Sequence, residues 1–332
     1  MVILNYRKRA IVIALFIIFL SFAVPSHAEN VTFVKEYTYQ ASELDSKASC
    51  RTISLEMVKR LLLEEFGTYL ISETEVKDFK LTKEQVTVLT AGIVGVEIVA
   101  EKWDGKTYWL KAKVSADPKE VAKSLDNLRK DYGKIKEIEA SLRDANKRAD
   151  EALKEIEQLK KEVGRLKAGK QVANRYKKAT DRLRAKSWLN KGIELGIAQK
   201  HEDALNAFAK AIELDPQYAA AYYNRGLAYA HIGDYQQAIK DYNKAIELKP
   251  DLAEAYYNRG NAYNKLGNYQ KAIKDFDNVI ELNPQDAGAY YNRGIAYHNV
   301  GNIKKAMKDY KTAAKLGWTD AQDYLTSNGI EW

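Results

Sequence analysis

The chain contains little cysteine, proline or histidine, and each shortage excludes a class of protein. Its 332 residues include one cysteine, Cys50, which rules out a disulfide framework and a zinc site with several cysteine ligands. Five prolines are too few for a proline-rich linker or tail. Three histidines follow position 28, and they lie too far apart in sequence for one helix to carry a metal-binding pair, so we expect His201, His231 and His298 on the surface. Cys50 falls on the apolar side of a predicted helix and is expected to be a buried thiol.

The usual sequence motifs of enzymes are also missing. Neither Gly-x-Ser-x-Gly nor His-Glu-x-x-His occurs in the chain. Residues 164–170 resemble a phosphate-binding loop, but Gln171 replaces the hydroxyl residue that would bind magnesium, and a charged helix instead of a strand precedes the loop. We therefore predict a protein without catalytic residues, cofactor or metal. An enzyme or an enzyme's accessory subunit built on residues 29–118 stays open as an alternative.

The segment from position 1 to position 28 has the pattern of a secretory signal. Basic residues at 7–9 precede an apolar run over 11–24, and the small residues Ser26 and Ala28 follow it. The apolar run is shorter than the roughly 20 residues that span a membrane. The sequence thus predicts cleavage after Ala28 and a periplasmic or secreted protein, with an inner-membrane anchor at residues 10–24 as the alternative.

Residues 29–118 have the pattern of a small α+β domain. The segment 31–39 alternates apolar and polar residues like a strand, and apolar residues recur at helical spacing from Cys50 to Leu61. Apolar runs on both sides of Asp104-Gly105 predict a β-hairpin. In this pattern the segment resembles the amino-terminal domain of flagellar assembly protein T.

Residues 119–184 are predicted to form a charged helical stalk. Its apolar residues alternate steps of three and four, which is the heptad pattern of a coiled coil. The seam comprises Ile135, Ile138, Leu142, Ala145, Ala149, Ala152, Ile156, Leu159, Val163 and Leu166. We expect a homo-oligomer, a dimer or trimer, held together through 135–166. The alternative is a single helix that packs on its own flanking domains.

The positive charge of the chain belongs to this stalk. Residues 119–184 carry 20 basic and 12 acidic side chains, whereas residues 185–332 carry 18 of each. A basic helix favours nucleic acid in other settings, but an exported protein has no access to it, so no nucleic-acid partner is expected. The charge is interpreted as a solvated face with weak attraction to an anionic envelope surface.

A repeated sequence dominates the C-terminal part of the chain. The motif Ala-Tyr-Tyr-Asn-Arg-Gly begins at 221, 255 and 289, and Pro216, Pro250 and Pro284 keep the same step. With Gly192 and Trp188 marking a divergent first unit, these residues resemble the tetratricopeptide repeat family in its bacterial, exported form. The resemblance implies four helix pairs over 185–322 that stack as an α-solenoid, with a cap at 323–332. The predicted fold class is therefore mainly α, with an α+β domain, a long helix and a solenoid.

One column of polar residues repeats with the same period and is the main functional signal. In repeats of this family the column points into the concave groove, where an amide side chain both donates and accepts hydrogen bonds along a bound peptide. The predicted groove residues are Asn190, Asn224, Asn258, Asn292, Tyr223, Tyr257, Tyr291, Asn261, Asn264 and Lys265. Alternatively, these residues are common in the family and no ligand binds there.

Taken together, these features predict an exported adaptor or scaffold that binds a protein or peptide without using a small-molecule cofactor. Its rival is a structural role, in which the stalk and the amino-terminal domain assemble an envelope complex and the groove stays empty.

Overall fold

The computed structural model describes residues 30–73, 82–130, 132–163 and 170–332, and within these ranges the chain is mainly helical, with thirteen helices and one three-stranded sheet. The elements in chain order are β1 (Val31–Gln40), α1 (Lys47–Glu73), α2 (Lys83–Thr90), β2 (Glu97–Trp103), β3 (Thr107–Ala116), α3 (Pro118–Lys130), α4 (Tyr132–Val163), α5 (Lys170–Ile197), α6 (His201–Leu214), α7 (Ala219–His231), α8 (Tyr235–Leu248), α9 (Ala253–Lys265), α10 (Tyr269–Leu282), α11 (Ala287–Asn299), α12 (Ile303–Lys315) and α13 (Thr319–Ser327).

The N-terminal unit is an antiparallel sheet covered on one face by α1. The strand order is β1-β3-β2, and β1 pairs with β3 along its whole length, from Val31 opposite Ala116 to Gln40 opposite Thr107. The hairpin turns at Asp104, whose carboxylate accepts hydrogen bonds from the N–H groups of Lys106 (2.8 Å) and Thr107 (2.6 Å). The predicted strand, helix and hairpin are all present.

Apolar side chains of α1 fill the space between the sheet and the helices behind it. The fully buried side chains of this layer include Leu62, Phe66, Leu70, Leu110 and Val114. Cys50 lies in the same layer and is buried, as the sequence indicates, and burial raises the pKa of its thiol to about 11. The thiol therefore stays protonated at neutral pH and is a packing group.

The predicted coiled-coil seam is used inside the single chain. Helices α4 and α5 lie antiparallel, since Glu155 pairs with Arg182 while Glu162 pairs with Arg175. The described seam residues from Ile138 to Leu159 are at most 8% exposed in one chain, because α5 and its neighbours cover them. The described seam residues thus pack within their own chain, as in the alternative, and a homo-oligomer through 135–166 stays a prediction.

Helix α5 also crosses the predicted boundary between stalk and solenoid. It is continuous from Lys170 to Ile197, so the boundary at 184 falls inside a helix. Its first half pairs with α4 and its second half pairs with α6 as the first helix pair of the solenoid. The remaining pairs are α7 with α8, α9 with α10 and α11 with α12, and α13 packs on the last pair.

Small residues let the two helices of each pair approach closely. A Cβ atom at Gly226 would lie 2.7 Å from the ring of Tyr242, and one at Gly294 would lie 2.7 Å from the ring of Tyr310. Only glycine fits such a contact without movement of the ring. These glycines recur once in every repeat unit and confirm the solenoid.

A column of ion pairs, invisible as such in the sequence, joins the two helices of the second, third and fourth pairs. Arg259 donates through two nitrogens to the buried Asp275, at 2.8 and 2.6 Å, and through its third to Asn243 of the preceding unit, at 2.6 Å. Bidentate pairs of this kind are strong and directional. The same fork joins Arg225 to Asp241 and Arg293 to Asp309.

Two sequence predictions concern residues outside the described ranges. The secretory signal or anchor at 1–28 lies there entirely, and the loop-like segment 164–170 lies there except for Lys170. In the ranges that have a described structure, no helix is both long and apolar enough to cross a membrane.

Candidate functional site: the groove face of the solenoid

The first helices of the units lie side by side and form one face of the solenoid, which we call the groove face. It carries the column of asparagines and tyrosines. Asn258 Nδ2 donates to the hydroxyl of Tyr223 at 3.0 Å, and Asn292 Nδ2 donates to the hydroxyl of Tyr257 at 2.8 Å. Each contact joins one unit to the next, like the rungs of a ladder. The amides therefore already bond within the array, whereas the sequence predicts that they face a peptide.

The first rung differs because the first unit has no tyrosine at the rung position. Leu189 occupies the position in the first unit that Tyr223 occupies in the second, so the amide of Asn224 has no hydroxyl in the preceding unit. Ser141 of α4 replaces it: Asn224 Nδ2 donates to Ser141 Oγ at 2.8 Å. Asn224 and Tyr223 are only 6% and 2% exposed. These two predicted groove residues are consequently unavailable to a ligand.

Helix α4 and the N-terminal unit cover the groove face of the first two units. Arg148 of α4 pairs with Asp215 at 2.5 Å and lies 4.7 Å above the ring of Tyr218. Leu189 is fully buried, and Asn190 lies in the same covered region with a buried Oδ1 atom that has no hydrogen-bond partner. The groove is therefore closed at this end.

A second layer of contacts fixes this cover in place. Lys186 on α5 forms a buried ion pair with Glu56 on α1, and Lys59 donates to Ser187 at 2.9 Å. Burial raises the pKa of Glu56, but the adjacent Lys186 and Arg60 outweigh it, so the pKa ends below its usual value. Glu56 is charged at neutral pH and holds the N-terminal unit against the solenoid.

The groove face of α9 and α11 is open. Asn261 is half-buried and Lys265 is exposed, and neither side chain has a partner among the residues with described contacts. Asn264 Nδ2 donates to the backbone oxygen of Asn292 at 3.3 Å, while its Oδ1 is buried and unpaired. At the border with α4, a small, partly open pocket is lined by Ala140, Ser141, Asp144, Tyr223, Leu252 and Glu254.

Two polar clusters of the structure were not foreseen from the sequence. Asp45 accepts hydrogen bonds from Tyr39 (3.2 Å) and Tyr176 and lies 3.3 Å from Lys160. Burial raises the pKa of Asp45, but the hydrogen bonds from Tyr176 and Ser42 and the charge of Lys160 outweigh it, so the pKa ends below its usual value. The cluster joins β1 to α4 and α5. Its members lie up to 137 residues apart, so no local pattern reveals them.

The second unforeseen cluster is a histidine pair. The rings of His201 and His231 stack at 5.2 Å on neighbouring units, although their sequence spacing gave no indication of it. No group of three or more potential metal ligands occurs among the residues that the structure describes.

Comparisons with known proteins place the repeats in a family. Models of the tetratricopeptide repeat match residues 197–233, 231–267, 253–286 and 276–308. The resemblance of residues 29–118 to flagellar assembly protein T lies outside the matched region and stays a prediction. No curated protein matches the chain.

Solved structures of tetratricopeptide repeat proteins resemble part of this chain. The crystal structure of MamA is 31% identical, with 42% of this chain and 81% of MamA covered and a TM-score of 0.40. YrrB, described as a TPR protein with an unusual peptide-binding site, is 21% identical over 48% of this chain and 84% of its own, with a TM-score of 0.41. The first TPR of Spaghetti (RPAP3), bound to an HSP90 peptide, is 26% identical over 35% and 93%, with a TM-score of 0.35.

Proposed function

Since residues 197–308 of this chain are tetratricopeptide repeats, we propose that the chain is a protein–protein interaction adaptor that binds a peptide segment of its partner on the open groove face of α9 and α11. The observation that carries the proposal is the pair of accessible, unpartnered side chains there, among the described residues: the amide of Asn261 and the ammonium group of Lys265. A neutral amide pairs with either end of a peptide group.

The closed end limits what the groove accepts. Because α4 covers the first two units, a ligand has access only to α9, α11 and the neighbouring α13. Three helices packed about 10 Å apart present roughly 20–30 Å of surface, and an extended chain advances about 3.3 Å per residue. The proposed ligand is therefore a short segment of about six to nine residues.

The remaining parts of the proposal are export and the absence of catalysis. The basic, apolar and small-residue pattern of residues 1–28 supports export to the periplasm. The rival role, assembly of an envelope complex through a coiled coil, loses its main support because the seam is buried inside the chain.

Crosslinking in the native cell tests the groove. A photoreactive benzophenone side chain at position 261 is expected to capture a partner protein. The same group at position 274, which is exposed on α10 and belongs to the second helix of its pair, is the matched control and is expected to capture none. Captured peptides, mapped by mass spectrometry, should fall on one short segment of the partner. Equal capture at both positions would contradict the proposal.

A further inference from the structure

The ladder on the groove face has one rung without an amide. The hydroxyl of Tyr291 is the next acceptor after those of Tyr223 and Tyr257, but α13 carries no asparagine at the matching position. Asn292 stands six residues after the N-cap Asp286, and Tyr324 stands six residues after the N-cap Trp318. The ring of Tyr324 packs against the ring of Tyr310, with centroids 5.0 Å apart, and brings no amide to the rung. The Tyr291 hydroxyl has no hydrogen-bond partner in the described part of the chain.

Neighbouring rings hold Tyr291 in the position of the other rungs. Its ring centroid lies 5.7 Å from that of Tyr310 and 5.9 Å from that of Trp318. The equivalent Tyr257 packs on Phe276 at 5.9 Å, and Tyr223 packs on Tyr242 at 6.0 Å. The same kind of ring packing therefore orients all three tyrosines.

The Tyr291 hydroxyl is accessible and keeps its proton. The residue is partly exposed at the end of the open groove that is farthest from α4. Burial and the nearby charge of Asp320 raise the pKa of its hydroxyl above the usual value. A protonated phenol both accepts and donates hydrogen bonds, so it offers the same acceptor that the filled rungs offer.

We propose that the Tyr291 hydroxyl binds the side-chain carboxamide of an asparagine or glutamine in the bound peptide. The array itself shows the contact: an amide nitrogen meets a tyrosine hydroxyl at 3.0 Å in one rung and 2.8 Å in the next. The inference rests on the proposed function, because it names one specificity determinant of the same groove.

The variant Tyr291→Phe, with Tyr257→Phe as its matched control, separates this role from a structural one. Tyr291→Phe removes a hydroxyl that bonds to nothing within the described chain, and its melting temperature should equal that of the wild type. Tyr257→Phe removes a filled rung and should lower the melting temperature.

Peptide selection supplies the binding measurement. The full mature chain is immobilised and exposed to a random library of nine-residue peptides that are capped at both ends. Wild type should enrich asparagine or glutamine at one position by roughly two- to tenfold, the value of one hydrogen bond, and Tyr291→Phe should lose that enrichment while still retaining peptides. Two results overturn the inference and leave the groove proposal standing. Either Tyr291→Phe keeps the preference for asparagine or glutamine, or the wild type retains peptides without preferring either residue at any position.

The proposed function fails by a different result. Asn261→Trp fills the open groove with a bulky ring and should abolish retention of all library peptides. If wild type retains no peptides, or Asn261→Trp retains as many as wild type, the groove is not the binding site. In either case the function falls together with the inference.

Discussion

Two glycines four positions apart on α5 have opposite surroundings. A Cβ atom at Gly192 would lie 2.3 Å from the ring of Phe208, whereas one at Gly196 would meet nothing within 4 Å. We expect Gly192→Ala to lower the free energy of unfolding by about 1–3 kcal/mol through overpacking. Gly196→Ala should raise it by roughly 0.5 kcal/mol or more, since alanine favours the helix. Urea unfolding measures both, and equal effects would show that the close approach is absent.

The ladder gives the asparagine column a role in stability. Asn292→Ala removes the donor to the Tyr257 hydroxyl, and we expect a loss of about 0.5–1.5 kcal/mol of unfolding free energy. Asn261→Ala, on the same face but without a partner among the described residues, is the control and should change stability little. If Asn292→Ala is as stable as wild type in urea, the amide does not bond within the array.

At the residue scale the sequence locates the column but not its partners. The repeat period places Asn258 and Asn292 on one face, yet an amide there is satisfied equally by a peptide or by a tyrosine of the unit before. The choice depends on a contact between residues 35 apart on different helices. For Asn224 it depends on a serine of α4, 83 residues away, and no repeat pattern contains that information.

At the scale of elements, one buried ion pair joins α1 to α5. Glu56 and Lys186 are each 5% exposed, and Glu56→Gln leaves Lys186 without its charge partner. Such a change typically costs about 3–5 kcal/mol. Glu157→Gln, which breaks an exposed pair with Lys161 on α4, is the control and should leave the melting temperature unchanged.

The same pair predicts how stability depends on pH. The pKa of Glu56 is lower in the folded chain than in the unfolded one, where it is about 4.3. Its contribution is therefore complete above that value and is lost as the pH falls through the lower, folded pKa. Between about pH 5 and pH 3 the wild type should lose stability more steeply than Glu56→Gln. Parallel curves would contradict this assignment.

Helix α4 shows why an element is easier to predict than its neighbours. The heptad spacing correctly indicates a helix with one buried stripe, because spacing reports only which side chains avoid water. The three small residues Ala145, Ala149 and Ala152 are all fully buried. Small side chains allow a neighbouring helix to approach closely, whether it belongs to the same chain or to another. Periodicity alone does not state whether that partner is a second copy or α5 of the same chain.

At the scale of the whole molecule, burial of the seam predicts a monomer. Light scattering should give the mass of one chain at high micromolar concentration. Ile156→Lys with Leu159→Lys places two charges at positions that are 3% and 0% exposed, so it should lower the melting temperature sharply without changing the number of chains per particle. A wild type that forms dimers, and that the double substitution converts to folded monomers, would restore the coiled-coil interpretation.

The sequence divides the chain into three parts, whereas the structure joins them. One apolar cluster runs from the sheet through α1, α4 and α5 to α7, and the polar cluster around Asp45 crosses the same boundary. The repeats, strands and hairpin are predictable because each depends on neighbours in sequence or on a fixed period. The packing between the parts depends on single contacts such as Tyr39 with Tyr176, which leave no local pattern.

The ladder also bears on how such an array grows. The unit at 253–286 offers the Tyr257 hydroxyl to the unit after it and the amide of Asn258 to the unit before it, and its arginine bonds to its own second helix and to the unit before it. A tandem copy of residues 253–286 inserted before α11 would therefore find complementary contacts on both sides, whereas α4 and α13 are fitted to the ends and cannot be copied in the same way. Gene duplication within the array would lengthen the open groove one unit at a time. The length of the peptide segment that the groove accepts would then change by inheritance, although every contact between units stays of the same kind.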